Sequence, residues 1–147
     1  MESKTINQHY SADHVRLHAL FHRFQELKAT DRPAARQVFL EFKGELERHI
    51  RWEESILFPC FDQKYSHLQY SPLPTLHREH GQILVCLDDI AEKLGREDFD
   101  TEADEKNIEA SLIRHNQKEE QALFPALDKI LDERELAAVF RAMRRLN

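Results

Sequence analysis

The sequence predicts an all-α protein: an antiparallel up-down-up-down four-helix bundle with a short C-terminal fifth helix. Three observations carry that expectation. Only three of the 147 residues are glycine, which favours helices over sheets. Charged residues make up 33% and hydrophobic residues 41%, a mixture suited to half-buried helices. Apolar residues recur at steps of three and four along four long stretches separated by short breaks. At this length the expectation is one domain over residues 1–147. The bundle should occupy about residues 11–131, and the last helix about 132–146.

The elements follow in order. Helix A should run from near Ser11 to about Ala29. Asp31, with Pro33 in the first turn, should start helix B, which continues to about Tyr65. Pro72 and Pro74 break the chain between Ser66 and helix C. Helix C should reach Leu94, with Gly95 placed to end it. Thr101 is the expected cap of helix D, which continues to about Leu131. Asp132 with Glu135 three residues later signals the cap of the fifth helix.

The same pattern is written twice, 66 residues apart. Asp13-His14 is answered by Glu79-His80. The run Arg48 to Pro59 is answered by Arg114 to Pro125, so that His49, Glu53, Phe58 and Pro59 map onto His115, Glu119, Phe124 and Pro125. Of nine histidines, the repeat selects four, together with two glutamates. His-xxx-Glu at i,i+4 places both side chains on one helix face. All six residues fall on apolar stripes. On helix B the stripe is Phe39, Phe42, Leu46, His49, Glu53, Ile56 and Cys60; on helix D it is Ile108, Leu112, His115, Glu119, Ala122 and Ala126. His14 leads Leu17, Phe21 and Phe24, and His80 leads Ile83, Leu87, Ile90 and Leu94.

Antiparallel geometry sets the height of the site. His14 and His49 lie equally far from the A–B turn, about 26 Å at the helical rise per residue. His80 and His115 stand in the same relation to the C–D turn, so all four should meet at one level. Imidazole nitrogens with carboxylate oxygens suit iron, manganese or zinc, and two matched half-sites suggest a pair of metals. The alternative, core histidines hydrogen-bonded to core glutamates without a metal, leaves the duplication as coincidence. His18 and His77, near His14 and His80, are weaker candidate ligands because their repeat counterparts are Leu84 and Ser11. Glu54 and Glu120 rotate off the ligand face and are expected beside the site or in solvent.

With these residues in view the chain resembles the hemerythrin-like, HHE cation-binding family over roughly residues 11 to 131. The resemblance implies a bundle enclosing two iron ions, oxo- or hydroxo-bridged, with Glu53 and Glu119 as the bridging carboxylates. Manganese or zinc is the other expectation for this donor set. The oxygen-carrying members use five histidines, with a His-xxx-His pair on the third helix and an aspartate five residues after the last histidine. Here Leu76 stands four residues before His80, and the last pair is His115-xxx-Glu119. The sequence is more similar to the non-carrier branch with the pattern His, His-xxx-Glu, His, His-xxx-Glu.

The expected function is therefore sensing of, or reaction with, dioxygen, nitric oxide or iron at a four-histidine, two-glutamate centre. The alternative is a di-iron enzyme: a peroxidase, a ferroxidase or an iron donor for cluster repair. A third reading is a helical interaction module. The expected partner is a small diatomic ligand or peroxide, with a protein partner or homodimer left open. The net charge of −6 argues against nucleic acid, and no run is long enough for a membrane span. Met1 to Tyr10 lacks the apolar stretch of a signal peptide. Cys60 and Cys86 form no close-spaced pair, so they are expected reduced, and the expected location is cytoplasmic.

Overall fold

The computed structural model describes residues 4–146; the ends of the Met1–Tyr10 reading and of the 1–147 domain fall partly outside that range. Helix α1 spans Ile6–Lys28, α2 Arg32–Trp52, α3 Phe58–Lys64, α4 Leu73–Gly95, α5 Glu102–Lys118, α6 Phe124–Ile130 and α7 Glu133–Leu146. Two five-residue π-turns, π1 at Glu53–Leu57 and π2 at Glu119–Leu123, join α2 to α3 and α5 to α6. Helix α1, the α2–α3 rod, α4 and the α5–α6 rod form the expected all-α bundle, with α7 as the short fifth helix. No strand occurs among the described residues.

The helix starts repay attention to local chemistry. Helix α1 begins five residues before the expected Ser11, because Thr5 and Gln8 form a capping box: Thr5 Oγ1 accepts from Gln8 N–H, and Gln8 Oε1 accepts from Thr5 N–H. Asp128 adds a second cap from the far side of the bundle, accepting the Ile6 and Asn7 N–H groups at 2.7 and 3.0 Å. Those amides have no partner within their own helix, so one carboxylate ties α1 to α6. Asp31 caps α2 as expected, and Asp132 with Glu135 forms the reciprocal box that starts α7.

Two helix ends differ from expectation. Gly95 is the last helical residue of α4, one beyond the expected Leu94, and the end is closed by Asp98 N–H to Lys93 C=O and Glu97 N–H to Leu94 C=O. Glu97 takes the left-handed position of that motif at φ 60°, a place that glycine fills more cheaply. Thr101 precedes α5, but its side chain caps no amide. Its hydroxyl is turned inward and donates to Glu105 at 2.6 Å, while Lys28 reaches both residues. This buried polar knot pins α1 to the start of α5 at the end of the bundle remote from the histidines.

The π-turns correct the apolar stripes. Pro59 and Pro125 have no N–H, and in an unbroken α-helix each ring would meet the carbonyl four residues earlier. The chain instead widens by one residue, with Phe58 N–H bonding Glu53 C=O and Phe124 N–H bonding Glu119 C=O. An extra residue rotates everything that follows by about 100°. The buried positions after Glu53 are therefore Leu57, Phe58 and Phe61, not the expected Ile56 and Cys60. After Glu119 they are Leu123, Phe124 and Leu127, with Ala122 exposed and Ala126 half-buried.

Two apolar clusters flank the histidine level. One gathers Leu17, Phe21, Phe24, Phe39, Phe42, Ile83, Leu87 and Ile90. The other gathers Tyr10, Trp52, Leu57, Phe58, Phe124 and Leu127 under α7, whose Val139 and Met143 are buried. Cys60 and Cys86 are free thiols. No helix among the described residues is long and apolar enough to cross a membrane.

Replacing Glu97 with glycine should relieve the left-handed backbone and stabilise the protein by about 0.5–1 kcal/mol, after the entropy that glycine adds to the unfolded chain is subtracted. Chemical denaturation measures it; a loss of stability would show that the Glu97 conformation carries no strain.

Candidate metal centre

All six residues selected by the repeat meet at one level, each buried: His14 7% exposed, His49 2%, Glu53 0%, His80 1%, His115 2% and Glu119 0%. Helix α1 delivers His14 and α4 delivers His80, while α2 and α5 deliver His49 and His115 one turn before the π-turns. The two glutamates are the first residues of those turns. The ring centres of His14 and His49 are 4.8 Å apart, and those of His80 and His115 4.5 Å apart.

Each glutamate faces both pairs. Glu53 places Oε2 3.0 Å from His49 Nε2 and Oε1 2.9 Å from His80 Nε2. Glu119 places Oε1 3.3 Å from His14 Nε2 and Oε2 3.2 Å from His115 Nε2. Donor atoms of His14, His49, Glu53 and Glu119 lie within 4.8 Å of one another, as do those of Glu53, His80, His115 and Glu119. Two four-residue groups thus share two carboxylates, one oxygen toward each side.

The outer face of every imidazole is also occupied. His49 Nδ1 lies 2.8 Å from Asp13, His115 Nδ1 2.9 Å from Glu79, His80 Nδ1 3.1 Å from Glu54 and His14 Nδ1 3.0 Å from Glu120. An ionised carboxylate only accepts, so each Nδ1 carries the proton and each Nε2 is turned inward. These four acids repeat at the same 66-residue step, Asp13 to Glu79 and Glu54 to Glu120. Glu54 and Glu120, expected beside the site or in solvent, stand beside it, whereas Asp13 and Glu79 carried no such expectation. Asp13 and Glu79 sit beside one histidine in the chain and serve the histidine of the neighbouring helix, which only the fold reveals. Arg16 braces Asp13 and Lys118 braces Glu79.

The weaker candidates fall outside the cluster. His77 is exposed and lies 2.6 Å from Glu54 Oε1, the same oxygen that His80 Nδ1 meets. His18 is exposed near His14 without a place among the donor groups. Of the aromatic residues, Phe58 lies flat on His80 at 5.5 Å with 7° between planes, whereas Phe124 is tilted 34° to His14. Tyr10 is wholly buried with its ring edge-on to His49 at 5.4 Å, and its hydroxyl donates to Met143 Sδ at 3.2 Å.

The donor set fits a cation. His14 Nε2, His115 Nε2 and both oxygens of Glu119 are buried without a hydrogen-bond partner. Such atoms are costly unless something else satisfies them. All four point into the shared space. Nitrogen and carboxylate donors at this spacing suit first-row metals.

The hemerythrin HHE cation binding domain profile matches residues 5–127. The chain belongs to that family. The match covers α1 through most of α6, including every residue of the cluster, and leaves α7 outside. No match was found among curated proteins or among solved structures.

Protons occupy part of this hemerythrin-type site in the metal-free state. Burial disfavours a charged His49, but Glu53 and Asp13 outweigh it and raise its pKa to about 10. Burial likewise opposes the His115 cation, and Glu119 with Glu53 raises it to about 11. Glu53 is held well below the ordinary carboxylate range, its own burial outweighed chiefly by His49. Asp13 falls to about 2, again against burial, through His49 and Arg16.

The folded values of His49 and His115 lie above the ordinary 6.5. Their contribution to metal-free stability is thus fully present below about pH 6.5 and is lost as pH rises through the folded values. A cation must displace the inward protons. Adding zinc or ferrous iron to metal-free protein near neutral pH should therefore release protons, and apparent affinity should climb with pH. Titration in weakly buffered solution with a pH indicator reads both; uptake without proton release would contradict the protonated assignment.

Proposed function

We propose that His14, His49, Glu53, His80, His115 and Glu119 hold two metal ions, iron in the first instance, and that the centre senses or reacts with dioxygen, nitric oxide or peroxide. The observation that carries the reading is the sharing of both glutamates: each offers one oxygen to each histidine pair. A single-ion site needs only one such group. Two groups with common carboxylates suit a pair of ions.

Bound iron supplies redox activity and Lewis acidity at each half of the site. The chain's own residues prepare that chemistry. Asp13, Glu54, Glu79 and Glu120 keep the Nδ1 protons in place, so that the four Nε2 lone pairs converge. Glu53 and Glu119 keep α-helical register with His49 and His115, and the π-turns that begin at them turn Leu57, Phe58, Leu123 and Phe124 inward over the donors. Phe58, Phe124 and Tyr10 exclude water around the donors, which strengthens electrostatic interactions within. Four nitrogens and two shared carboxylates leave coordination positions for an outside ligand. The free thiols at Cys60 and Cys86 support a reducing, cytoplasmic setting.

His49→Ala or Glu119→Ala should reduce bound iron by half or more and lower the melting temperature of iron-loaded protein by roughly 5–10 °C, because metal binding contributes to folding free energy. His67→Ala, on the exposed loop before α4, should leave both unchanged. Wild-type iron content in the His49 variant would place the metal elsewhere. For the reactivity, nitric oxide added to anaerobic ferrous protein should change the optical spectrum; an unchanged spectrum with nitric oxide, dioxygen and peroxide alike removes the sensing and reactive readings together.

A further inference from the structure

Helix α7 lies wholly outside the family match. Its 14 residues make a helix of a length that is marginal in water on its own. Leu131, in extended backbone, and Asp132 join it to α6. Its order therefore depends on the bed beneath it. Val139 and Met143 are buried in that bed, while Leu136 and Phe140 are half-buried. Outside, Glu135 pairs with Lys64 of α3.

The bed is made of the metal cluster's immediate neighbours. Helix α7 packs chiefly on α2 and π1, and Glu53 is the first residue of π1. Tyr10 stands between α7 and the centre. Its ring meets His49 edge-on at 5.4 Å, and its hydroxyl donates to Met143 Sδ at 3.2 Å. The repeat does not copy this link. Leu76 stands 66 residues after Tyr10, buried and with no hydroxyl to donate. Two of the six clustered residues, His49 and Glu53, thus lie under α7 through Tyr10 and π1.

We propose that α7 is the output element of the metal centre: metal held by His49 and Glu53 keeps α7 docked through Tyr10 and π1, and an empty centre lets the helix open. The ground is linkage between two ordering events. A cation fixes the His49 ring and the Glu53 carboxylate, and with them the Tyr10 ring and the turn on which α7 rests. Docked α7 fixes the same groups from the other side, so each event lowers the ordering cost of the other. The coupling is reciprocal by necessity: metal favours the docked helix, and the docked helix favours metal, by one factor. Opening uncovers the apolar face that carries Val139 and Met143, so the state of a buried centre becomes visible at the surface. The coupling rests on the metal reading above, and zinc uptake tests that reading separately.

Trypsin reads the opening, because Arg134 and Arg141 lie on α7 and cleavage of a folded chain follows the population of its open form. Zinc affinity of the metal-free full chain is measured first, by competition with a chromogenic chelator; a chain that takes up no zinc overturns the metal reading and the coupling together. In metal-free protein α7 should be cut well before Arg36 of α2, the mark of a local opening, and zinc should slow the α7 cuts roughly tenfold or more. Val139→Asp, which sets a charge in the bed, should free α7 and weaken zinc by a similar factor while circular dichroism shows the bundle still helical. Met143→Leu keeps the apolar volume but takes the acceptor from the Tyr10 hydroxyl, so zinc should protect α7 less. Three results overturn the proposal: zinc bound with the α7 cuts unslowed, α7 and Arg36 cut together, or wild-type zinc affinity in Val139→Asp. Met143→Leu cut faster by one factor with and without zinc would make Met143 a packing residue and remove the Tyr10 route.

Discussion

Two carboxylates buried completely in an apolar bundle are the constraint on which the rest of the molecule depends. Removing an ionised carboxylate from water costs several kcal/mol even after relaxation, and Glu53 and Glu119 are both 0% exposed. The structure offsets that cost with four imidazoles at one level, two of them held as cations in the metal-free state. Those cations are in turn held by acids on their outer faces, and two of the acids by Arg16 and Lys118. Charge thus alternates outward from the centre, layer by layer. The π-turns belong to the same solution. They let a proline follow each glutamate without breaking the rod, and they turn Leu57, Phe58, Leu123 and Phe124 inward to cover the site.

The bundle and the six clustered residues were legible in the sequence because both rest on periodicity. Steps of three and four assign a face to each residue, and equal distances from the two turns assign a height. His14, His49, His80 and His115 needed no more than that. Periodicity fails where the helix changes pitch, and so Ile56, Cys60, Ala122 and Ala126 were expected inward when their neighbours are buried instead. The signal was present in Phe58-Pro59 and Phe124-Pro125, since a proline inside a helical pattern demands some local adjustment. Local capping was readable too: Thr5 and Gln8 form a box that moves the start of α1 ahead of Ser11. Glu54 and Glu120 could be placed beside the site or in solvent from their rotation off the ligand face. The roles of Asp13 and Glu79, and the histidine that each acid serves, were not readable, because each serves a histidine on another helix. Thr101 was misread for a similar reason. Its hydroxyl answers a buried glutamate from within the tertiary knot with Lys28, not the nearest free amide.

Duplication accounts for the ligands and their outer carboxylates, and the departures from it are where the halves acquire different properties. His77 stands on Glu54 where the first half has Ser11, so only one of the inner histidines is linked through an acid to an exposed imidazole. Phe58 and Phe124 cover their histidines at different tilts. Helix α7, beyond the matched domain, lies over one cluster, with Met143 receiving the Tyr10 hydroxyl and Tyr10 touching His49. A symmetric set of donor groups is thereby placed in an asymmetric shell.

The central claim is that Glu53 and Glu119 are shared by two metal positions in one chain. The measurement that tests it most directly is the iron stoichiometry of protein purified without oxygen, with the optical spectrum recorded before and after air. Two irons per chain, and a near-ultraviolet absorption that develops on exposure to air, are the result this structure predicts. One iron per chain, or none in protein made with ample iron, would contradict the paired centre and leave the shared glutamates as an ion-paired core.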